Sequence, residues 1–127
     1  MKNKEIGLVI IMFTLNMFLV LNPVSSSATE KWVTHLCLSD YTGPVAGIVT
    51  PGDMGIEDFY KYINDKGGIR GVKIRFIGVD TRYDVARGVS AYKRYRKTPN
   101  LLVVVANGTA FGKAIYPILE RDKFIMY

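Results

Sequence analysis

The stretch Asn107-Gly108-Thr109-Ala110 combines residue types suited to holding a carboxylate. A glycine lets the backbone come close to a bound group. A threonine hydroxyl, with the backbone N–H groups that open a following helix, can donate to an anion. Just upstream, Leu101 to Ala106 is the most strand-like run of the chain, and helical spacing follows from about Gly112 to Asp122. The stretch therefore lies just past the carboxyl end of a strand, where open parallel sheets bind their ligands. A second loop, Ser39 to Pro44, qualifies on the same ground, with Tyr41 and Thr42 placed to line a shared cleft. Each reading has a plainer counterpart. Asn107 and Thr109 could simply cap the helix, and Tyr41 could be surface packing.

Other chemistry finds little support. His35 and Cys37 are the chain's one histidine and one cysteine, so they supply neither a disulfide nor a metal-ligand set. Both read as core or edge residues of a strand, and Cys37 lies too far past the N-terminal apolar run to carry a lipid. No Gly-x-Gly-x-x-Gly follows the first strand, and there is no Walker lysine loop and no Ser-His-acid set. Asp80, Arg82 and Asp84 are explained by a capped turn with a surface ion pair. No cofactor or metal is expected.

The elements that would position these loops radiate from Ile63 to Asp80, Ile-Asn-Asp-Lys-Gly-Gly-Ile-Arg-Gly-Val-Lys-Ile-Arg-Phe-Ile-Gly-Val-Asp. It reads as the end of a helix, a glycine stop, and a strand from Val72 to Val79. Upstream, Trp32 to Leu38 is a mostly apolar strand, as central parallel strands are. Thr50-Pro51-Gly52-Asp53 predicts a helix start, with Thr50 as N-cap and Pro51 in the first position. Ile56, Phe59, Tyr60 and Ile63, with Met54 beside them, predict its buried face. Asp84 is expected to cap a second helix that buries Val85, Gly88, Val89 and Tyr92. Ile115, Ile118 and Leu119 point inward from a third, which Pro117 should kink. Phe124 to Tyr127 begins a fourth strand. This alternation predicts an α/β fold, an open parallel sheet with helices on both faces.

Three ordered motifs carry a family resemblance. Ile63-Asn64-Asp65-Lys66-Gly67-Gly68-Ile69-Arg70-Gly71-Val72-Lys73-Ile74 resembles the Ile-Asn-x-x-Gly-Gly-Ile-x-Gly signature of type I periplasmic binding proteins, nearest the branched-chain amino-acid (leucine-binding-protein-like) group serving ABC transporters. Thr42-Gly43-Pro44 after the first strand and Asp84-Val85-Ala86 at the second helix also match. The resemblance runs from about Trp32 to Tyr127. It implies part of lobe 1 of a two-lobed binder, with a membrane permease as partner and an amino-acid-like solute as ligand. In that family the loop after the third strand holds the ligand's carboxylate through a hydroxyl and backbone amides, and Thr109 matches the hydroxyl. The chain departs from the family at Ile48-Val49-Thr50-Pro51, where many members place an aromatic residue before the first helix. How a solute's side chain is met is therefore open.

The N-terminus has the layout of a secretory signal peptide: a basic start over Met1-Lys2-Asn3-Lys4-Glu5, an apolar run from Ile6 to Leu21, then small and polar residues from Pro23 to Ala28. As a helix the run would span about 24 Å, short of a roughly 30 Å hydrocarbon core. Cleavage is expected after Ala28, which leaves residues 29–127 as a partial N-terminal lobe, periplasmic, soluble and without stable membrane insertion. Losing Lys2, Lys4 and Glu5 takes the net charge from +6 to about +5. The remaining bases lie in surface turns and on a helix face, a solvated pattern that gives no ground for nucleic-acid binding. The sequence thus reads as an exported, non-catalytic solute-binding protein of an ABC importer, present as a fragment that would be inactive alone. A sensory ectodomain built on the same lobe is the alternative, and an exported α/β enzyme the remote one.

Overall fold

A computed structural model describes residues 30–126. The expected signal segment, residues 1–28, lies outside the described residues. Four strands and three helices alternate: β1 (Lys31–Ser39), α1 (Ala46–Asp65), β2 (Val72–Asp80), α2 (Val85–Tyr95), β3 (Leu101–Ala106), α3 (Thr109–Asp122) and β4 (Ile125–Met126). The strands form one sheet in the order β2-β1-β3-β4 with every pairing parallel. The open parallel α/β sheet expected from the alternation is the one observed.

Side chains alternate across a strand, so β1 divides its residues between the two faces of the sheet. Leu36 and Leu38 point to one face, where they join Val104 of β3, Tyr92 of α2, and Phe111, Ile115 and Leu119 of α3 in a buried apolar cluster. Tyr92 is fully buried, and its hydroxyl donates to Asp122 Oδ2 at 2.8 Å, which ties α2 to the end of α3. His35, Cys37 and Ser39 point to the other face, where α1 lies; His35 meets Tyr60 and Phe76 edge-on, with centroids 5.6 and 5.3 Å apart.

The glycine joint ends α1 as the sequence predicts. The Gly68 N–H donates to Ile63 O and the Gly67 N–H to Asn64 O, while Ile69 and Val72 exchange backbone hydrogen bonds on the way into β2. Gly68 has φ +78°, and a Cβ there would run into the Val72 carbonyl, so the position needs glycine twice over. Asn64 makes a second connection. Its Nδ2 donates to Ile74 O at 2.7 Å and its Oδ1 accepts from the Ile74 N–H at 2.8 Å, so one side chain pairs with β2 as a strand would.

Two helix starts differ from expectation. α1 begins at Ala46 after Val45 rather than at Pro51 after a Thr50 cap, and Pro51 lies inside it. The cause is Asp40, whose fully buried carboxylate accepts from the N–H groups of Gly43 and Val45. That fixed turn launches the helix five residues early, and the Val45 carbonyl accepts from Ile48 and Val49. Pro51 withholds a hydrogen bond from the carbonyl of Gly47, which is exposed and open to water. α3 likewise begins at Thr109 rather than near Gly112.

The buried face of α1 is also rotated from the expected one. Phe59 and Met54 are exposed, Ile56, Tyr60 and Ile63 are half-buried, and the buried residue is Asp53. α2 follows expectation more closely: Asp84 caps it through the Arg87 N–H at 2.7 Å, and Gly88 and Tyr92 are buried, although Val85 is exposed.

Candidate functional site

The carboxyl ends of β1, β2 and β3 lie side by side, and the loops that leave them interlock. Asp80, the last residue of β2, accepts from the Thr42 hydroxyl at 2.6 Å, from the Tyr41 N–H at 2.9 Å and from the Arg82 N–H at 3.1 Å. These donors, the Thr42 hydroxyl first, lower the Asp80 pKa to about 2. Thr81 adds a second tie, with its hydroxyl donating to Ser39 O at 2.9 Å.

The sign of the resulting pH dependence follows from that depressed pKa. The folded state holds the Asp80 carboxylate more tightly than the unfolded chain, so its stabilisation is complete above the ordinary carboxylate range. It is lost as pH falls through about 4 towards 2. Asp80→Asn is expected to flatten the stability profile in that window while leaving its neutral-to-alkaline part parallel to wild type. Urea melts from pH 7 down to 2 test this; an unchanged acid limb in the variant would remove Asp80 from the account.

The third loop differs from the first two. Asn107 N–H donates to Leu38 O at 3.0 Å, and Gly108 is the N-cap of α3 with φ +127° and no side-chain cap. A Cβ on Gly108 would sit 2.9 Å from Cε2 of Tyr83, whose ring leans over from the loop after β2. Thr109 and Ala110 are exposed in the first turn, where helix N–H groups have no intrahelical acceptor. Gly108, Thr109 and Ala110 therefore form an exposed helix N-terminus at the carboxyl edge of the sheet, with an aromatic wall beside it. Backbone N–H groups and the positive end of the helix dipole favour an anion there.

The other residues singled out from the sequence are placed differently. Thr42 is exposed, but its hydroxyl is bound to Asp80. Tyr41 folds beneath the sheet against Gly78, where burial foremost, then Cys37 and Asp53, raises its pKa. Asn107 also turns to the α1 side, with Nδ2 donating to Ser39 Oγ at 2.9 Å and to Asp53 Oδ1 at 3.3 Å. Asn107 does not cap α3 with its side chain, and Thr109 follows the cap.

Sequence reasoning missed Tyr83 and Asp53. Tyr83 sits at φ 57° in a turn with no periodicity to mark it, and Asp53 is a polar residue within apolar helical spacing. Cys37 is buried, and its surroundings, burial foremost, raise the thiol's pKa to about 12, which leaves it unreactive at neutral pH. No group of three or more histidine, cysteine or acidic residues among the described residues could hold a metal ion. No helix among them is long and apolar enough to cross a membrane.

Comparisons with known proteins agree with this architecture. A comparison with curated protein sequences gives no match. Among solved structures, a fatty acid ABC transporter substrate-binding protein from Thermomonospora curvata is similar at 25% identity, TM-score 0.69, over 78% of this chain and 25% of that one. A possible leucine/isoleucine/valine-binding protein from Rhodopirellula baltica is similar at 21% identity, TM-score 0.68, over 84% and 28%. A branched chain amino acid ABC transporter protein from Thermus thermophilus with bound valine shares the fold at 18% identity, TM-score 0.70, over 76% and 25%. The chain thus spans about a quarter of the length of the structures it matches. The model of the family described as "Periplasmic binding protein" matches residues 37–127, and with that match over most of its length the chain belongs to this family.

Proposed function

We propose that residues 29–127 form part of the first lobe of an exported solute-binding protein of an ABC importer, and that residues 1–28 are its signal peptide. The solute is a small carboxylate, an amino acid or a relative of one. Its carboxylate is received at Gly108, Thr109 and Ala110, and a second lobe closes over it before a membrane permease takes it up. The work is binding, with no bond made or broken.

The observation that carries this reading is the N-terminus of α3, exposed at the carboxyl edge of the sheet with no side-chain cap. Two of the similar structures support the ligand class. One is named for a fatty acid and the other holds valine, compounds with different tails and a carboxylate in common. The anion is thus the constant part of the ligand, and the tail is left to residues outside the loop.

A nuclear magnetic resonance titration of the chain joined to its second lobe, with acetate, valine and hexanoate, tests the reading. The Thr109, Ala110 and Phe111 amides are expected to shift with each carboxylate. Thr109→Ala removes one hydroxyl donor to a charged group and is expected to weaken binding about tenfold or more. Carboxylates that leave these amides unmoved, or bind the variant as tightly as wild type, would reduce Thr109 to a helix-start residue.

A further inference from the structure

We propose that Asp53 of α1 is a positioning residue for the carboxylate site, a single side chain outside the loops that anchors the loop after β1 and the loop after β3 in one frame. The proposal rests on the reading of Gly108, Thr109 and Ala110 as the residues that receive the carboxylate. Asp53 acts on them through Asn107, the residue just before Gly108, and through Tyr41, the residue just before Thr42.

The anchoring follows from burial. Asp53 is only 5% exposed, and among the described residues no ion pair reaches it. An ionised carboxylate accepts hydrogen bonds and donates none, so a buried one needs donors around it. Here the donors come from the carboxyl ends of two strands and the loops that leave them. Asn107 Nδ2 donates to Asp53 Oδ1 at 3.3 Å and to Ser39 Oγ at 2.9 Å. The Tyr41 hydroxyl and the Cys37 thiol lie within hydrogen-bond reach of the same carboxylate. Gly78 leaves the space through which Tyr41 comes, since a Cβ there would sit 2.5 Å from the tyrosine hydroxyl oxygen.

Each bond fixes something that local rules leave open. The Asn107 amide can turn either its oxygen or its nitrogen towards α1, and an acceptor at Asp53 selects the nitrogen. The Asn107 N–H is bound to Leu38 O at 3.0 Å, so Asn107 is held by backbone and side chain together. The next residue is Gly108, at φ +127° and without a side-chain cap, which is where the backbone of this loop has most freedom. Holding a loop in its bound shape before the ligand arrives removes the cost of ordering it from the binding step. Leucine at position 53 would suit an apolar helix face and would give up both anchors.

The test is Asp53→Leu, similar in size and without an acceptor, in the chain joined to its second lobe. Before any ligand is added, nitrogen-15 relaxation should show the order parameters of Gly108, Thr109 and Ala110 falling from about 0.85 towards 0.6, with those of Leu36 and Val104 unchanged. Affinities for valine and for hexanoate should then fall by the same factor, about tenfold, because the loop meets the carboxylate that both carry. Asn107→Ala removes the same bond from the loop side and should reproduce both effects, and it carries the test where Asp53→Leu does not fold. The double variant should lose no more than either single one. Leu36→Ala separates anchoring from stability: it should lower the melting temperature and leave the loop's order parameters as they are. Unchanged order parameters in Asp53→Leu or in Asn107→Ala, or a loop that loosens equally in Leu36→Ala, would overturn the proposal. Wild-type protein that binds neither probe would sink the carboxylate reading instead, and the ligand-free order parameters would still decide the role of Asp53.

Discussion

Leu36→Ala is expected to destabilise the protein by about 2–5 kcal/mol, the range for emptying a buried leucine site whose walls relax only in part. Leu36 is fully buried at the middle of β1, in the cluster that joins the sheet to α2 and α3. β1 is also the strand that pairs with both β2 and β3, so little movement is available to close the cavity. Phe59→Ala is the contrasting substitution. Phe59 has the larger side chain but is 56% exposed on α1, so its loss should stay within about 1 kcal/mol. Urea unfolding of both variants should show a large midpoint drop for Leu36→Ala at an unchanged slope, and a small one for Phe59→Ala. Equal losses would mean that the α1 face is as well packed as the face bearing α2 and α3.

Gly68→Ala should cost at least about 2 kcal/mol, more than a glycine-to-alanine change in an ordinary turn. Two effects add there. A left-handed backbone disfavours any Cβ, and the new methyl would overlap the Val72 carbonyl that accepts from the Ile69 N–H. Gly71→Ala separates them, because Gly71 shares φ +78° but has open space around its Cβ position. Its cost should be the conformational part alone, about 1 kcal/mol. If the two variants melt alike, the steric contribution at Gly68 is absent and the joint is looser than its hydrogen bonds imply.

What could be read from the sequence followed local rules, and what could not depended on distant partners. The glycine joint after Asn64, the strand from Val72, and the cap at Asp84 each rest on neighbours within a few residues, and each is where the pattern puts it. The start of α1 was hidden because it is set by Asp40 reaching forward over a loop, which outweighs the local signal of Thr50-Pro51. The buried face of that helix was misjudged for a related reason. A buried aspartate is invisible to apolar spacing, and what places Asp53 against the sheet is Asn107 on another strand's end. At the carboxyl edge, residue type marks Gly108 for the close approach of a ligand, but not the Tyr83 ring for which it leaves room. The inward turn of Tyr41 was not legible either, since it depends on Gly78 leaving room across the sheet.

The pairing of Asn64 with Ile74 has a consequence beyond fixing α1 to the sheet. β2 is the outermost strand on its side, and such a strand offers a row of open N–H and C=O groups to any other chain in solution. Asn64 occupies one N–H and one C=O of that row with an amide that cannot be extended into a further strand. Lys73 and Arg75 flank the occupied residue and put charge on either side of it. An incoming strand would have to displace that amide, so the same contact that closes the helix–strand joint also blocks part of the open edge.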